Sequence, residues 1–439
     1  MRALERAALA AAALLCFIPF VVGTHANIIP TFYAEWTALA LGIAVIALAL
    51  ARRGDVRVPW IALGLFAFLL VLVLQLVLGR VAFPERSAIA ILYAAWAALL
   101  AVAAAQLRER VGLECVAAWL QGALAAAGFL IALTGFMQRY GLEAFGLRIF
   151  TAQGAGRFLG VTGQQNHLAN LVAVGLVSLA FLAAARRVSL ATAALAAAPM
   201  LLALPLAGSR SVYVYALLAL GAAALAIARG DAGARRPAAI LGVAFAVLLI
   251  AQLFTHGASG ARVAQSLASG SLDPGRVLQA RYAWAIFLAH PWLGAGWSEL
   301  AWNAFQIAPA IGAAEGNVAS HHAHNLALQL LAETGIAGAL PVLCALALWF
   351  ARFPWRAPSA AECWLLAIAA IELFHGLVEY PQWYAYFLGL FALVLGLAGG
   401  GIRIPERSSR PLRLALVGAL AAGAIALGSA LTDYRALER

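Results

Sequence analysis

Long apolar stretches, separated by short polar segments, extend over almost the whole chain. A helix needs about 20 mostly apolar residues to cross a membrane. Stretches of this kind occupy 7–24, 33–51, 58–79, 86–106, 112–136, 166–185, 189–206, 211–228, 237–255, 324–350, 360–378, 381–399 and 412–431. The pattern predicts an all-α, polytopic integral membrane helix bundle of 12–13 transmembrane helices, since 360–399 could form one broken hairpin.

The composition agrees with a membrane protein. Hydrophobic residues make up 65% of the chain and charged residues 11%, whereas soluble domains are near half apolar and a quarter charged. This excludes a soluble enzyme, a disordered chain and a nucleic-acid binder, so no nucleic-acid partner is expected. The first apolar stretch resembles a signal peptide but lacks a small-residue cleavage site, and we interpret it as a membrane helix.

The basic residues indicate how the helices are oriented. All 29 are arginine, and most lie in short loops that share one side if the N-terminus is cytoplasmic, as the positive-inside rule requires. Two long segments, 137–165 and 256–323, then face outward. The predicted division is transmembrane helices at 1–136 and 137–255, a large periplasmic loop at 256–323, and transmembrane helices at 324–439. Breaks at Asp273-Pro274-Gly275 and His290-Pro291 predict two short helices in the large loop, 276–290 and 297–308.

Several arginines fall on the outer side, where the rule does not explain them. Arg210 stands between two apolar stretches with almost no loop, and an arginine at that depth needs an anionic partner. Its planar guanidinium suits phosphate. Arg281, beside Tyr282 and Trp284, and Arg157 are further candidates for binding an anion. Solvation or contact with lipid headgroups is the alternative for this group of arginines.

Consecutive amides open the sixth predicted helix, in Gly163-Gln164-Gln165-Asn166-His167. Such residues are costly in lipid and favourable beside a polar cavity. Gln164, Gln165 and Asn166 are therefore candidates for binding sugar or phosphate. Helix capping by Asn166 is the alternative.

Three of the eight histidines cluster in Ser320-His321-His322-Ala323-His324-Asn325. Zinc binding, helix capping and general-base catalysis are all consistent with this pattern. Zinc would need further ligands, and no nearby Asp, Glu or Cys completes a set. The four cysteines likewise show no spacing typical of a metal site or of disulfides.

A second polar cluster lies near 372–386. Glu372, His375 and Glu379 share one face of a predicted helix, and Tyr380 begins an aromatic turn. A membrane-interface belt explains the aromatic residues. It does not explain three ionisable groups on one face, and these predict a polar cavity.

His324-Asn325, followed by Gly335 and Gly338, resembles the signature of bacterial O-antigen ligases. The segments GQQNHLAN, GSRSVY and RYAWAIFLAHPWLGAGW resemble the wider ligase and polymerase superfamily, and together they cover about residues 150–400. The resemblance implies an inverting glycosyltransferase of GT-C type in the bacterial inner membrane, with its active site facing the periplasm among membrane lipids. The donor would be a glycan on undecaprenyl diphosphate and the acceptor a hydroxyl of lipid A–core oligosaccharide, with no metal or other cofactor. The family's catalytic His and Arg correspond to His324 and Arg210, while His322, Asn325, Glu379 and Tyr380 are expected to bind substrate.

Three alternatives remain open. HGLVEYPQWYAYFLGLFALVLG resembles protein O-oligosaccharyltransferases, which glycosylate pilin-type proteins and carry a soluble domain after the last helix. Only Thr432–Arg439 follow the last predicted helix, which favours the ligase. An O-antigen polymerase is the second alternative. A lipid-linked oligosaccharide flippase is the third, although its polar residues are expected at mid-membrane rather than at one face.

Overall fold

The computed structural model describes residues 2–23, 28–141, 158–228, 235–254, 274–311, 321–398 and 400–439. Almost all of the described regular structure is helical. In chain order the elements are α1 (Ala3–Leu15), α2 (Ile18–Val21), α3 (Phe32–Leu50), β1 (Val56–Pro59), α4 (Trp60–Val77), α5 (Pro84–Val111), α6 (Leu113–Arg139), α7 (Gln165–Ala184), α8 (Leu190–Ala207), α9 (Ser211–Ala228), α10 (Arg235–Phe254), α11 (Pro274–Ala289), α12 (Leu300–Ile311), α13 (Leu326–Ala351), α14 (Ala360–Val378), α15 (Ala385–Leu397), β2 (Gly401–Ile404) and α16 (Glu406–Leu437).

Twelve helices of the described residues are long and apolar enough to cross a membrane, with α1 and α2 together forming the first. The prediction of a polytopic helix bundle is therefore confirmed. The predicted span 381–399 is the exception. It corresponds to α15, which has 13 residues and reaches about 20 Å, less than the roughly 30 Å hydrocarbon core of a bilayer. Residues 379–384 separate α14 from α15, so 360–399 is an interrupted hairpin.

The two short helices predicted between the ninth and tenth spans are present. They are α11 and α12, which pack on each other and on α13. Tyr282, Ile286, Leu300 and Ala304 form a small buried core there. Residues 255–273 and 312–320 of the predicted large loop lie outside the described residues, so the boundaries of that domain stay predictions.

Small residues let the membrane helices approach closely, as is common in membrane bundles. A Cβ atom built on Gly128 of α6 would lie 3.0 Å from the Cα atom of Gly175 in α7. Gly42 of α3 faces the indole of Trp96 in α5, where an added Cβ would lie 2.3 Å from the ring. The alanine and glycine content of the apolar stretches is thus used for packing.

A short ladder, which the sequence did not predict, closes one end of the bundle. Strands β1 and β2 pair antiparallel, with Arg57 opposite Arg403. Glu109, near the end of α5, accepts from Arg57 at 3.0 Å and from Arg403 at 2.9 Å. Arg108 pairs with Glu362 of α14 at 3.0 Å. We call this the arginine-rich end, and the opposite end, formed by connections such as 379–384, the site end.

Helix α13 breaks at Gly335, and the break joins α11 and α12 to the bundle. Gly335 has φ 61°, a left-handed conformation that favours glycine. Backbone hydrogen bonds link the turn 291–296 to both sides of the break, including Ala295 N to Ala332 O at 2.9 Å and Ile336 N to Pro291 O at 2.8 Å. Gln75 of α4 links the turn 291–296 to α13, because its side-chain amide donates to the backbone carbonyls of Leu293 at 2.6 Å and Glu333 at 2.7 Å.

Candidate active site

The carboxylate of Glu379 is the centre of a polar cluster at the site end. Glu379 follows the last residue of α14 in an extended conformation and is 2% exposed. Its Oε2 lies 3.0 Å from Nδ1 of His324, and its Oε1 accepts from the Asn166 amide at 2.7 Å. Arg276 forms an ion pair with the same Oε1. Side chains from α7, α11 and the segment before α13 therefore converge on one carboxylate.

The histidine segment is held by its own side chains and those of the next helix. Asn325 caps α13, since its Oδ1 accepts from Leu328 N at 3.0 Å, and its amide donates to Leu377 O at 3.2 Å. Gln329 accepts from Ala323 N at 2.6 Å and donates to His321 O at 3.2 Å. His324 itself has φ 50°. Such backbone conformations are unusual for a non-glycine residue and cluster at functional sites.

In the amide motif 164–166, Gln164 caps a helix and Asn166 lies in the polar cluster. Gln164 is the residue that caps α7, because its Oε1 accepts from His167 N at 2.8 Å. The capping alternative given to Asn166 is therefore wrong, and the Asn166 amide instead binds Glu379. Gln165 is the first residue of α7 and half-buried. Substrate binding by these amides stays a prediction.

Arg276, in the first turn of α11, reaches the cluster and pairs with Glu379. The sequence predicted Arg281, five residues later, as an anion-binding residue and did not single out Arg276. That spacing puts the two side chains on different sides of the helix, and Arg281 is exposed. Only the orientation of α11, which the sequence does not give, distinguishes them. Arg157 lies outside the described residues.

The cluster's electrostatics keep Glu379 ionised. Burial alone would raise the pKa of Glu379, but the hydrogen bond with His324 and the charge of Arg276 outweigh it and hold this pKa well below its usual value. An ionised carboxylate at Nδ1 favours the tautomer in which Nδ1 carries the proton. The Nε2 atom of the partly exposed His324 ring then has a lone pair for accepting a proton.

An aromatic row leads away from the ionic cluster. Tyr380 contacts the His324 ring edge-on at 5.0 Å and stacks on His322 at 4.2 Å. His322 in turn meets Trp383 at 5.3 Å, and Trp383 stacks on Trp297 at 5.7 Å. Burial, together with the neighbouring histidines, lowers the pKa of His322 to about 4, so this ring is neutral near pH 7. His322 and His324 therefore have different environments, and the carboxylate of Glu379 lies at His324.

A groove of about 530 Å³ begins on the far side of this row. Its walls come from α4, α5, α13 and α15 and are mainly apolar. Arg86, Trp297, His321, His322 and Trp383 lie at its site end. The groove and the ionic cluster are thus neighbours, with Tyr380 and His322 between them.

The remaining predicted residues lie at the same end of the bundle or deeper within it. Arg210 is half-buried in the turn between α8 and α9. Helix α9 packs along α14, whose last residue precedes Glu379. Glu372 and His375 are fully buried inside the bundle, and His375 Nδ1 lies 2.7 Å from the Tyr215 hydroxyl. The three ionisable groups predicted on one helical face therefore do not share it, since Glu379 lies beyond the end of α14, and Glu379 is the one in the cluster.

Two protein families match this chain. Residues 195–343 match the family described as O-antigen ligase, and residues 363–439 match the family described as virulence factor membrane-bound polymerase, C-terminal. These matches place the chain in the O-antigen ligase/polymerase superfamily. The first matched region contains Arg210, Arg276 and His324, and the second contains Glu379. No curated protein matches the chain.

Membership indicates a multi-pass membrane enzyme of ligase or polymerase type, acting on lipid-linked glycans. Among the described residues, no three His, Cys, Asp or Glu side chains come together as a metal-binding group.

Proposed function

We propose that this protein is an O-antigen ligase, which transfers a glycan from undecaprenyl diphosphate to a hydroxyl of lipid A–core oligosaccharide at the periplasmic face. The observation that carries the proposal is the binding of His324, Arg276 and Asn166 to the single carboxylate of Glu379. It provides an oriented base beside fixed positive charge, the two functions needed for transfer from a diphosphate-linked donor.

The proposed reaction is a direct displacement at the anomeric carbon. His324 Nε2 accepts the proton of the acceptor hydroxyl as the oxygen bonds to that carbon. The bond from the carbon to the diphosphate oxygen breaks, and the diphosphate leaves with the electron pair, which predicts inversion. Glu379 keeps the imidazole oriented and stabilises the imidazolium, as the carboxylate does in Ser-His-Asp enzymes.

Positive charge stabilises the diphosphate as it leaves. Arg276 is ion-paired, but it is about a third exposed, so its remaining donors are accessible to an anion. Arg210 is the second proposed cation, supported by its position in the turn between α8 and α9, within the region that matches the ligase family. Arginine is suited to both roles because its planar fork of donors matches phosphate oxygens.

The second candidate function is transfer of the same glycan to a different acceptor molecule. The segment around Glu379 and Tyr380, which resembles protein O-oligosaccharyltransferases, belongs to the cluster itself. It also lies within the region that matches a membrane-bound polymerase family. A pilin-type protein or a second lipid-linked glycan is therefore the alternative acceptor, with the same donor chemistry. A flippase is not favoured, since a carboxylate-oriented histidine serves no evident purpose in moving a lipid.

The test is an acceptor comparison with purified protein. Undecaprenyl-diphosphate-linked glycan is incubated with lipid A–core, with a pilin-type peptide, or alone, each with and without EDTA. Transfer to lipid A–core that persists in EDTA is expected. Transfer to the peptide alone reassigns the acceptor, and lengthening of the lipid-linked glycan identifies a polymerase. No transfer in any reaction contradicts the proposed function, and loss of transfer in EDTA contradicts metal independence.

A further inference from the structure

A second cavity lies at the arginine-rich end of the bundle, opposite the site end. Its volume is about 200 Å³, whereas one water needs roughly 10–15 Å³, so a group of the size of a phosphate fits. The charged side chains of its lining are Arg57, Arg108, Arg352 and Glu362. The arginines come from β1, from near the end of α5 and from the residue after α13. Segments distant in the chain therefore bring three positive charges to one cavity.

The carboxylates near this cavity do not balance its arginines. Glu362 pairs with Arg108 at 3.0 Å. Glu109 is shared, since it accepts from Arg57 at 3.0 Å and from Arg403 at 2.9 Å. Two carboxylates therefore serve three arginines even before the remaining arginine of the lining is counted. An anion that enters the cavity meets an excess of positive charge.

Arg352 is an arginine of the lining that is available to a ligand. It is exposed, and its guanidinium pairs with no carboxylate in the part of the chain that the structure describes. Gly400 lines the cavity beside it, where an added Cβ atom would lie 3.6 Å from the Cβ atom of Arg352 and 3.2 Å from the Trp60 indole. One guanidinium can donate two parallel hydrogen bonds to a phosphate, so Arg352 has the donors that such a group needs.

Two tryptophans indicate that the cavity lies at the depth of lipid headgroups. Trp60, whose indole borders Gly400, is the first residue of α4. Trp355 follows the end of α13 and donates to the carbonyl of Phe350 at 2.6 Å. Tryptophans are enriched where the hydrocarbon of a bilayer meets water. The phosphates of membrane lipids lie in the same layer.

An apolar row on α13 leads to the cavity. Leu340, Cys344 and Leu348 are exposed and follow one another at intervals of four residues, which places them on one face of the helix. Arg352 continues the row, and its N–H donates to the carbonyl of Leu348 at 3.0 Å. From residue 340 to residue 352 the helix rises about 18 Å, close to half of the roughly 30 Å hydrocarbon core of a bilayer. Acyl chains of one leaflet that lie along this row therefore bring their phosphate to Arg352.

We propose that this cavity binds the phosphate of an anionic phospholipid from the membrane leaflet at the arginine-rich end. The phosphate accepts hydrogen bonds from Arg352 and is stabilised by the charges of Arg57 and Arg108, while the acyl chains lie along α13. Phosphatidylglycerol fits this site better than phosphatidylethanolamine, because the arginines repel the ammonium group of the latter. A free phosphate has the same head chemistry but lacks the chains that contact the apolar row. The proposal does not depend on the proposed function, since the cavity and the polar cluster lie at opposite ends of the bundle.

The experiment measures lipid binding to the full-length protein in a neutral detergent, with bound lipids counted by native mass spectrometry. Dioleoylphosphatidylglycerol is expected to saturate one site with a Kd about tenfold below that of dioleoylphosphatidylethanolamine. Arg352→Ala is expected to raise the Kd for dioleoylphosphatidylglycerol about tenfold, equivalent to about 1.4 kcal/mol. Arg356→Ala is the matched control, because Arg356 is exposed at the same end but does not line the cavity. It removes the same charge and is expected to bind like the wild type.

The melting temperature of each variant shows that it is folded and gives a second readout. A ligand that binds only the native state raises this temperature, so dioleoylphosphatidylglycerol should stabilise the wild type and Arg356→Ala more than Arg352→Ala. Inorganic phosphate, added at the same concentrations, distinguishes the two sources of the anion. If it fills the cavity as tightly as the lipid does, the assignment to a phospholipid is wrong. Equal binding of the two lipids, or equal losses in the two variants, would overturn the cavity as a specific binding site.

Discussion

At the scale of single residues, the cluster gives each side chain a separate contribution. Glu379 fixes the Nδ1 side of His324, Arg276 compensates the charge of that carboxylate, and Asn166 adds a neutral donor. Removing one group therefore changes the others, and substitutions are most informative when compared with a matched position outside the cluster.

His324→Ala is expected to reduce transfer by about 10²–10⁴-fold, because a general base contributes that much. His290 is exposed and lies outside the cluster, so His290→Ala is expected to stay close to wild type. Initial rates of glycan transfer, normalised to folded protein from gel filtration, provide the measurement. Full activity of a folded His324→Ala protein would show that the base is another group.

Glu379→Gln is expected to lower transfer by at least about 10²-fold, since it removes the charge that orients and stabilises the histidine. The pKa of Glu379 is held well below its usual value, so its ionised form and the stability it contributes are present near neutral pH and are lost only in strong acid. The loss in the variant should therefore appear at both pH 6 and pH 8. Glu372→Gln, in α14 and fully buried in the bundle, is the matched control. Equal effects of the two substitutions would contradict the role of Glu379.

Arg276→Ala is expected to cost about 10²–10³-fold in kcat, the usual effect of removing a group that stabilises developing negative charge. Arg276→Lys should recover only part of the loss, because lysine lacks the fork of donors. Arg281→Ala is expected to have the smaller effect, since Arg281 is exposed and lies on another side of α11. Steady-state kinetics of the three variants provide the measurement. A larger loss of kcat for Arg281→Ala than for Arg276→Ala would show that Arg281, as predicted from the sequence, is the arginine that stabilises the leaving diphosphate.

At the scale of elements, the break in α13 is the place where the turn between α11 and α12 binds the bundle. A Cβ atom at Gly335 would be 2.4 Å from the carbonyl oxygen of Trp292. We therefore expect Gly335→Ala to destabilise the protein by about 1–3 kcal/mol through backbone strain alone, and further through this overlap. Gly122 of α6 has open space around it, so Gly122→Ala should be neutral or slightly stabilising. Thermal denaturation in detergent compares the two, and equal melting temperatures would show that α13 tolerates another path here.

Elements differ in how far the sequence predicts them. The membrane helices follow from length and hydropathy alone, and α11 and α12 follow from the Pro and Gly breaks that precede each of them. The β1–β2 ladder was missed because each strand has four residues and its partner is distant in the chain. The backbone hydrogen bonds between the turn 291–296 and the residues around Gly335 were also not predicted. Both segments belong to motifs that resemble the superfamily. No local sequence pattern, however, specifies which distant partner will bind a backbone group that a helix break leaves unpaired.

At the scale of the whole molecule, several members of the polar cluster were predicted from the sequence, but the contacts between them were not. His324, Asn166 and Glu379 were all predicted, because a polar residue in an apolar chain needs a reason. Their meeting at one carboxylate, and the choice of Arg276, depend on how helices distant in sequence pack together. The groove was not predicted at all, since aliphatic residues that line a cavity cannot be distinguished by sequence from those that fill a core.

The orientation of the bundle is the remaining whole-molecule prediction. Arginines concentrate at the end where Arg57, Arg108 and Arg403 lie, and the positive-inside rule places such an end in the cytoplasm. In a variant without its native cysteines, Leu288→Cys on the exposed side of α11 should react with a membrane-impermeant maleimide in intact spheroplasts. Arg53→Cys, in the exposed loop before β1, should react only after permeabilisation. The reverse labelling pattern would place His324 and Glu379 in the cytoplasm, where lipid A–core carried on the periplasmic leaflet is out of reach, and would exclude the proposed acceptor.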